Sequence, residues 1–227
     1  MYQELDRIMN KQKIKIGISL RVTKAKNYSE KRDGLSHDWP KFFKKFDSIP
    51  IFIPNTLDNV ESYLDSIEIS GIILSGGDNI GDNPERDITE TKLIQYGIDN
   101  DLPIFGVCRG MQMINHFFNG NIKTNASKDH VNNPHKIKIL NNIFSKNLNS
   151  ELITVNSFHN NIINDDNLGN NLKVFARTFS DNSIEGIFHN KHKILGVMWH
   201  PERDQNKNDE LILKHIFHDN NFWKNIS

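Results

Sequence analysis

Residues 102–115 read LPIFGVCRGMQMIN. An apolar run of strand type, Pro103 to Val107, meets a helix-like stretch that opens at Arg109, and between them lies Gly106-Val107-Cys108-Arg109-Gly110. A Gly-x-Cys-x-Gly turn between a strand and a helix is the thiol form of the nucleophile elbow. The glycines let the chain turn sharply and let strand and helix approach closely. Such a turn presents its side chain at the C-terminal edge of the sheet, where open α/β sheets bind ligands. The helix N-terminus adds free N–H groups and the positive end of its dipole, which favour thiolate over thiol. The bland reading of a lone cysteine is a buried, inert one.

The flanking sequence sets that elbow in an alternating chain. Lys13–Leu20, Ile49–Ile53 and Ser70–Leu74 read as strands. His37–Phe46, Val60–Ile67 and Asp87–Asn100 read as helices, the first with Trp39, Phe42, Phe43 and Phe46 on one side as a core-facing cluster. The helix after Cys108 stops at Asn119-Gly120. Strand-helix alternation implies right-handed crossovers and an α/β fold with a mainly parallel sheet. Beyond residue 120 the rhythm changes. Ile122–Leu140, Leu152–Asn156, Leu172–Phe179, Ser183–Phe188 and Ile194–Val197 are short strand-like runs, which predicts additional antiparallel strands in the C-terminal half. A final helix covers about Asn208–His218. No repeat, linker or internal boundary is visible, so residues 1–227 read as a single domain.

Two further stretches end apolar runs with chemistry. Gly196-Val197-Met198-Trp199-His200-Pro201-Glu202 offers an imidazole to take the Cys108 proton and an acid to hold that imidazole in one tautomer. Leu74-Ser75-Gly76-Gly77-Asp78 offers backbone N–H groups free of side chains. The Gly77 and Arg109 amides are the expected oxyanion hole. A phosphate-binding loop is disfavoured, because the Walker lysine and spacing are missing.

Composition narrows the classes. Lys+Arg and Asp+Glu are both 28, so the net charge is +0 and no general attraction to nucleic acid or an anionic membrane is expected. One cysteine excludes an intramolecular disulfide and a Cys-rich zinc module. Residues 1–12 lack the apolar core of a signal peptide, and no apolar run approaches the ~20 residues that span a bilayer, so a cytoplasmic protein is expected. No cofactor and no metal is expected. A zinc site from Cys108, His159 and His200 matches no structural zinc spacing.

ILSGGD (73–78), RDITE (86–90), LPIFGVCRGMQMIN (102–115), VNSFHN (155–160), SIEGI (183–187) and GVMWHPE (196–202) together resemble the class I, triad-type glutamine amidotransferases, most of all their γ-glutamyl hydrolase (peptidase C26-like) branch. The resemblance implies a flavodoxin-like three-layer sandwich. It implies a Cys108–His200–Glu202 triad that cleaves a γ-glutamyl amide through a thioester. It also implies that Gln112, Ser157, Phe158 and His159 help hold a small-molecule γ-glutamyl substrate. Related hydrolases often read SFHHQ where this chain has Ser157-Phe158-His159-Asn160-Asn161, and carry an acid where it has Phe188; those positions are expected to border the leaving half of the substrate. One substrate suggested by the overall likeness is γ-glutamyl-CDP-amidate, split into glutamate and cytidine diphosphoramidate in capsule phosphoramidate synthesis. Arg109, Arg203 and a basic segment (Lys123, Lys128, Lys136, Lys138, Lys146, with His130 and His135) are the groups offered for its phosphates, a solvated basic loop being the plainer reading. Two alternatives stay open: a glutaminase subunit supplying ammonia to a separate synthase, and a non-catalytic or redox-sensing protein. A homodimer is left open. The loop from Asp78 to Asp87 is expected to form a rim near the oxyanion turn.

Overall fold

The computed structural model describes residues 13–124, 130–148 and 150–226. Five strands lie side by side and parallel: β4 (Ser48–Ile53), β1 (Ile14–Ser19), β5 (Gly71–Leu74), β6 (Ile104–Val107) and β11 (Ile194–Val197). β5, β6 and β11 are buried at every residue, as strands covered on both faces must be. Period-two alternation then sorts their side chains. Ile72, Leu74 and Ile104 pack with Leu93, Ile94, Met111 and Ile114 from α3 (Pro84–Asp99) and α4 (Arg109–Phe117). Ile73, Phe105 and Val107 face the opposite core, with Phe42, Phe43 and Phe46 of α1 (Asp38–Phe43) and its 3₁₀ extension, and Ile212, Leu213 and Ile216 of α7 (Lys207–His218). The result is the expected three-layer α/β sandwich. α2 (Val60–Ile67) begins at the expected residue, where the Asn59 side chain accepts from the Ser62 N–H as an N-cap.

On the far side of β11 the sheet turns antiparallel through β10 (Ile184–His189), β9 (Leu172–Thr178), β7 (His135–Ile139) and β8 (Leu152–Val155). The expected antiparallel addition is therefore present, with a shorter reach than the sequence suggests. Among the described residues of the run 122–140 only β7 is a strand, and Lys123 and Val131 make isolated bridges to Ile162 and Phe158. β7 and β8 alternate buried and exposed side chains, as antiparallel strands with one wet face do.

The structure adds elements that periodicity missed. A polar hairpin joins β2 (Arg21–Lys24) to β3 (Lys31–Gly34). α5 (Asn142–Leu148) lies between β7 and β8, α6 (Pro201–Asp204) follows β11, and α8 (Asn220–Ile226) follows α7. Each is too short or too polar to show a helical period. No helix of the described residues is long and apolar enough to cross a membrane.

Candidate active site

Sheet order brings the chemistry together. β5, β6 and β11 are immediate neighbours, with Leu74 opposite Gly106 and Val107 opposite Val197. Their C-terminal ends release Ser75-Gly76-Gly77, Cys108 and Met198-Trp199-His200 at one edge. The Cys108 N–H donates to the Val197 carbonyl at 2.8 Å, which ties the elbow to the strand that leads to His200.

Cys108 adopts φ 51°, ψ −105°, a backbone state that L residues rarely hold. Its surroundings tolerate nothing larger than glycine. A Cβ on Gly110 would lie 2.1 Å from the Leu74 carbonyl oxygen, and one on Gly106 would lie 2.6 Å from the Gly110 carbonyl carbon. Gly76 is a third such position: a Cβ there would sit 2.7 Å from His200 Cε1 and 3.5 Å from Cys108 Cβ. The thiol and the imidazole thus flank the same glycine.

His200 and Glu202 are buried, and His200 Nδ1 lies 2.8 Å from Glu202 Oε1. The carboxylate accepts there, so Nδ1 carries the hydrogen and Nε2 is left for the sulfur. Pro201 is the first residue of α6, so the imidazole and the acid leave a helix start on either side of it. Burial would lower the basicity of His200, but the Cys108 thiolate and Glu202 outweigh it and push its pKa up to about 9. Burial would likewise push the Cys108 thiol up, yet the positive His200 and its hydrogen bond hold the thiol below its ordinary value. Together these favour a thiolate–imidazolium pair at neutral pH.

Two bracing residues escaped the sequence reading. Asn156 accepts from the His200 N–H at 2.8 Å and donates to the His200 carbonyl at 2.8 Å, clamping its backbone from both sides. Arg86 is fully buried and donates to the carbonyls of Ser75, Gly76 and Gly77 at 2.7, 3.2 and 2.6 Å, and to Glu90 at 3.0 Å. With three carbonyls turned onto the guanidinium, the Ser75–Gly77 turn is held in one conformation. Both lie in the quoted motifs VNSFHN and RDITE, but their partners come from distant segments.

These groups open into a cleft of about 340 Å³. Cys108, His200, Glu202, Gly77, Arg109, Gln112, Phe158 and His159 are all among its lining residues. Gln112 is buried and donates to the Met198 sulfur at 3.6 Å. Phe158 meets His200 edge-on at 5.8 Å, and the Arg203 guanidinium sits 4.0 Å over its ring. Ser157 stands apart: its hydroxyl donates to the His130 carbonyl at 2.5 Å and it does not line the cleft.

Several charge expectations need correction. The Arg109 guanidinium is buried and engaged by Glu90 and Asp87, so it is spent on the fold rather than offered to a phosphate. Lys123, Lys136, Lys138 and Lys146 are exposed and do not line the cleft, while Lys128 lies outside the described residues. Phe188 is buried beside Phe144 and does not border the site, whereas Asn160 and Asn161 do. Pro84 to Asp87 belong to α3 rather than to a rim loop. Among the described residues, the arginines that line the cleft besides the neutralised Arg109 are Arg203 and Arg21, the latter unforeseen and 3.5 Å from Asp78. His159 lines the cleft, but its metal-ligating atoms cluster with those of His130, His135 and Glu185.

Known proteins share this organisation. The Peptidase C26 family model matches residues 15–202. The γ-glutamyl-CDP-amidate hydrolase of Campylobacter jejuni subsp. jejuni serotype O:2 is 35% identical over 210 residues, covering 89% of this chain and 96% of the relative. A glutamine-hydrolysing GMP synthase subunit of Methanococcus vannielii is 31% identical, over 76% of this chain and 85% of the relative. A crystal structure of a Thermoplasma acidophilum protein, described as a GMP synthase subunit, superposes with a TM-score of 0.70 at 21% identity, over 95% of this chain and 98% of that one.

Proposed function

Because the chain belongs to the Peptidase C26 family and is a cysteine-dependent amidohydrolase of that kind, we propose that it cleaves a γ-glutamyl amide through a Cys108 thioester, releasing glutamate and an amine-bearing product. The observation that carries this reading is the convergence of Cys108, past the end of β6, with His200 and Glu202, past the end of the adjacent β11, beside the Gly76-Gly77 turn that follows β5. The Cys108 thiolate attacks the δ-carbonyl carbon, and the resulting oxyanion is received by the Gly77 and Arg109 amides. His200, charged through its pairing with the thiolate and Glu202, gives its Nε2 proton to the departing nitrogen. The C–N bond breaks, leaving the glutamyl thioester. Neutral His200 then takes a proton from water, hydroxide adds to the thioester, and glutamate leaves as the sulfur recovers its charge. Gln112 and Phe158 hold the glutamyl end. Residues 1–227 work as one such domain in the cytoplasm, where a lone thiol stays reduced.

For the leaving half, the reading is γ-glutamyl-CDP-amidate, converted to glutamate and cytidine diphosphoramidate in capsule phosphoramidate synthesis. The relative from Campylobacter jejuni supports it by name, and Arg21 and Arg203 at the cleft support it by charge. The similarity to glutamine-hydrolysing GMP synthase subunits favours a second reading, a glutaminase that passes ammonia to a separate synthase. The purified chain assayed on γ-glutamyl-CDP-amidate, γ-glutamyl-putrescine, folate polyglutamate and glutamine separates them. Preferred release of glutamate from the nucleotide conjugate is expected; preference for another conjugate, or turnover of glutamine only beside a synthase, overturns the substrate assignment.

A further inference from the structure

A second concentration of chemistry lies beside that centre and shares His159 with the cleft lining. His130, which precedes β7, His135 at the start of β7, His159 after β8, and Glu185 in β10 each offer one donor atom, and these atoms all lie within 4.8 Å of one another. Glu185 is fully buried, His130 and His159 nearly so, and His135 partly.

Hydrogen bonds to two of the rings define where their lone pairs point. His159 Nδ1 lies 3.0 Å from the Asn161 carbonyl, which only accepts, so Nδ1 carries the hydrogen and Nε2 presents a lone pair. His130 Nε2 lies 2.9 Å from an Asp181 carboxylate oxygen, which leaves Nδ1 as the lone pair. His130 Nδ1, His135 Nε2, His159 Nε2 and both carboxylate oxygens of Glu185 are buried without a hydrogen-bond partner. Glu185 sits 3.5 Å from His135 Nε2 and 3.3 Å from His159 Nε2, within ion-pair range but without hydrogen-bond alignment.

A buried carboxylate left in that state is costly. Protonating His135 and His159 would pair Glu185 with charge, but would leave His130 Nδ1 without a partner and set two like-charged rings 6.3 Å apart between centroids. A divalent cation satisfies four of the five orphaned atoms at once, the three imidazole nitrogens and one carboxylate oxygen. It takes three lone pairs and a carboxylate, and the hydrogen bonds to Asp181 and the Asn161 carbonyl orient the ligating rings as metal sites require.

We propose that His130 Nδ1, His135 Nε2, His159 Nε2 and the Glu185 carboxylate bind one zinc-type divalent cation in tetrahedral geometry. Three imidazoles and one carboxylate suit zinc rather than magnesium or calcium, which prefer all-oxygen sites. Bonds of ~2.0–2.2 Å place tetrahedral donors ~3.4 Å apart, so donors separated by up to 4.8 Å close by about 1.4 Å. Four protein ligands leave no open position, which makes the ion a structural clamp and not a Lewis acid for the amide. It joins β7 and β10 to the segment carrying Phe158, the ring that meets His200. His130 and His135 are spaced as an H-x4-H pair, but 159 and 185 complete no zinc motif with them, so the sequence leads to the opposite expectation.

Metal analysis of the untagged protein tests this without any γ-glutamyl substrate, so it stands apart from the proposed reaction. About one zinc per chain is expected after reloading a chelator-stripped sample, with a melting temperature that falls on stripping and recovers on reloading. A Cys108→Ala, His200→Ala double variant keeps that zinc, which excludes the catalytic thiol as its ligand. Asp181→Ala weakens zinc binding ~10–100-fold. Substoichiometric zinc in reloaded, folded wild-type protein, an unchanged melting temperature, or loss of zinc in the double variant would each overturn the proposal.

Discussion

The two halves of the sheet use burial differently. In the parallel half, β5, β6 and β11 are buried throughout by apolar side chains and glycine, and their chemistry sits just past their C-terminal ends. In the antiparallel half, β10 is equally buried yet carries Glu185 as its second residue, and the neighbouring segments supply Asn156, Phe158 and the imidazoles of His130, His135 and His159. The first half makes a reactive centre from backbone turns, where close approach leaves room only for glycine. The second makes a wall from buried polar side chains that brace the His200 backbone and shape the cleft. Chemistry should therefore fail outright when the first is damaged, and should change in rate, pH range or selectivity when the second or the shared edge is damaged.

The sharpest way to break that division is Cys108→Ala. Glutamate release should fall by at least ~10⁴-fold while the melting temperature stays within a few degrees. Retained turnover would place the nucleophile elsewhere.

Glu202→Gln probes the shared edge, with an expected rate loss of roughly 10²–10⁴. The pH profile carries the finer reading. The working pair is thiolate with imidazolium, so activity should rise on the acid side as Cys108 loses its proton, below the ordinary cysteine range, and decline near pH 9 as His200 loses its own. Without the carboxylate that raises the His200 pKa, the alkaline limb should move to lower pH. An unmoved limb would mean that Glu202 does not govern the imidazole.

Arg21→Ala and Arg203→Ala test the cleft. Each should lower kcat/KM for a diphosphate-bearing conjugate by about tenfold, and leave a neutral γ-glutamyl amide much less affected. Equal losses on both substrates would mean that the arginines act through Phe158 or Asp78 instead.

The smallest effect is on stability. Asp209 is buried in α7, accepts from the Trp199 indole at 2.8 Å, and has its pKa raised to about 7 by burial, with Asp204 and Glu202 adding to the shift against that hydrogen bond. The folded protein holds this proton to higher pH than the unfolded chain does. The stability it confers is complete below the ordinary Asp pKa of about 4 and is lost as pH rises through 7. Asp209→Asn should flatten that dependence and gain about 1–3 kcal/mol over wild type at pH 8 in denaturant unfolding. An equal slope in both proteins would refute the assignment.

The parallel half was legible because its signals are local. A strand, a glycine pair and a helix start are read from neighbouring residues, and Gly106, Gly110 and Gly76 are glycine for steric reasons that act over a few ångströms. Three such turns, each after an apolar run, already indicate one sheet edge. Side-chain partnerships were not legible. Arg109 reads as a free cation until Glu90 and Asp87 are seen on it, and Arg86 reads as one more helix charge until three carbonyls are found to converge on its head. Arg21 sits in a polar hairpin with no period to announce it. The same holds for the four donors around Glu185, which are brought together from as far apart as residues 130 and 185. Sequence alone determined the alternation of elements and the backbone turn that displays the thiol, because both follow from hydrophobic period and glycine sterics. Only the tertiary structure decided which charges face the cleft and which are neutralised beneath it, because burial and pairing depend on neighbours far away in the chain.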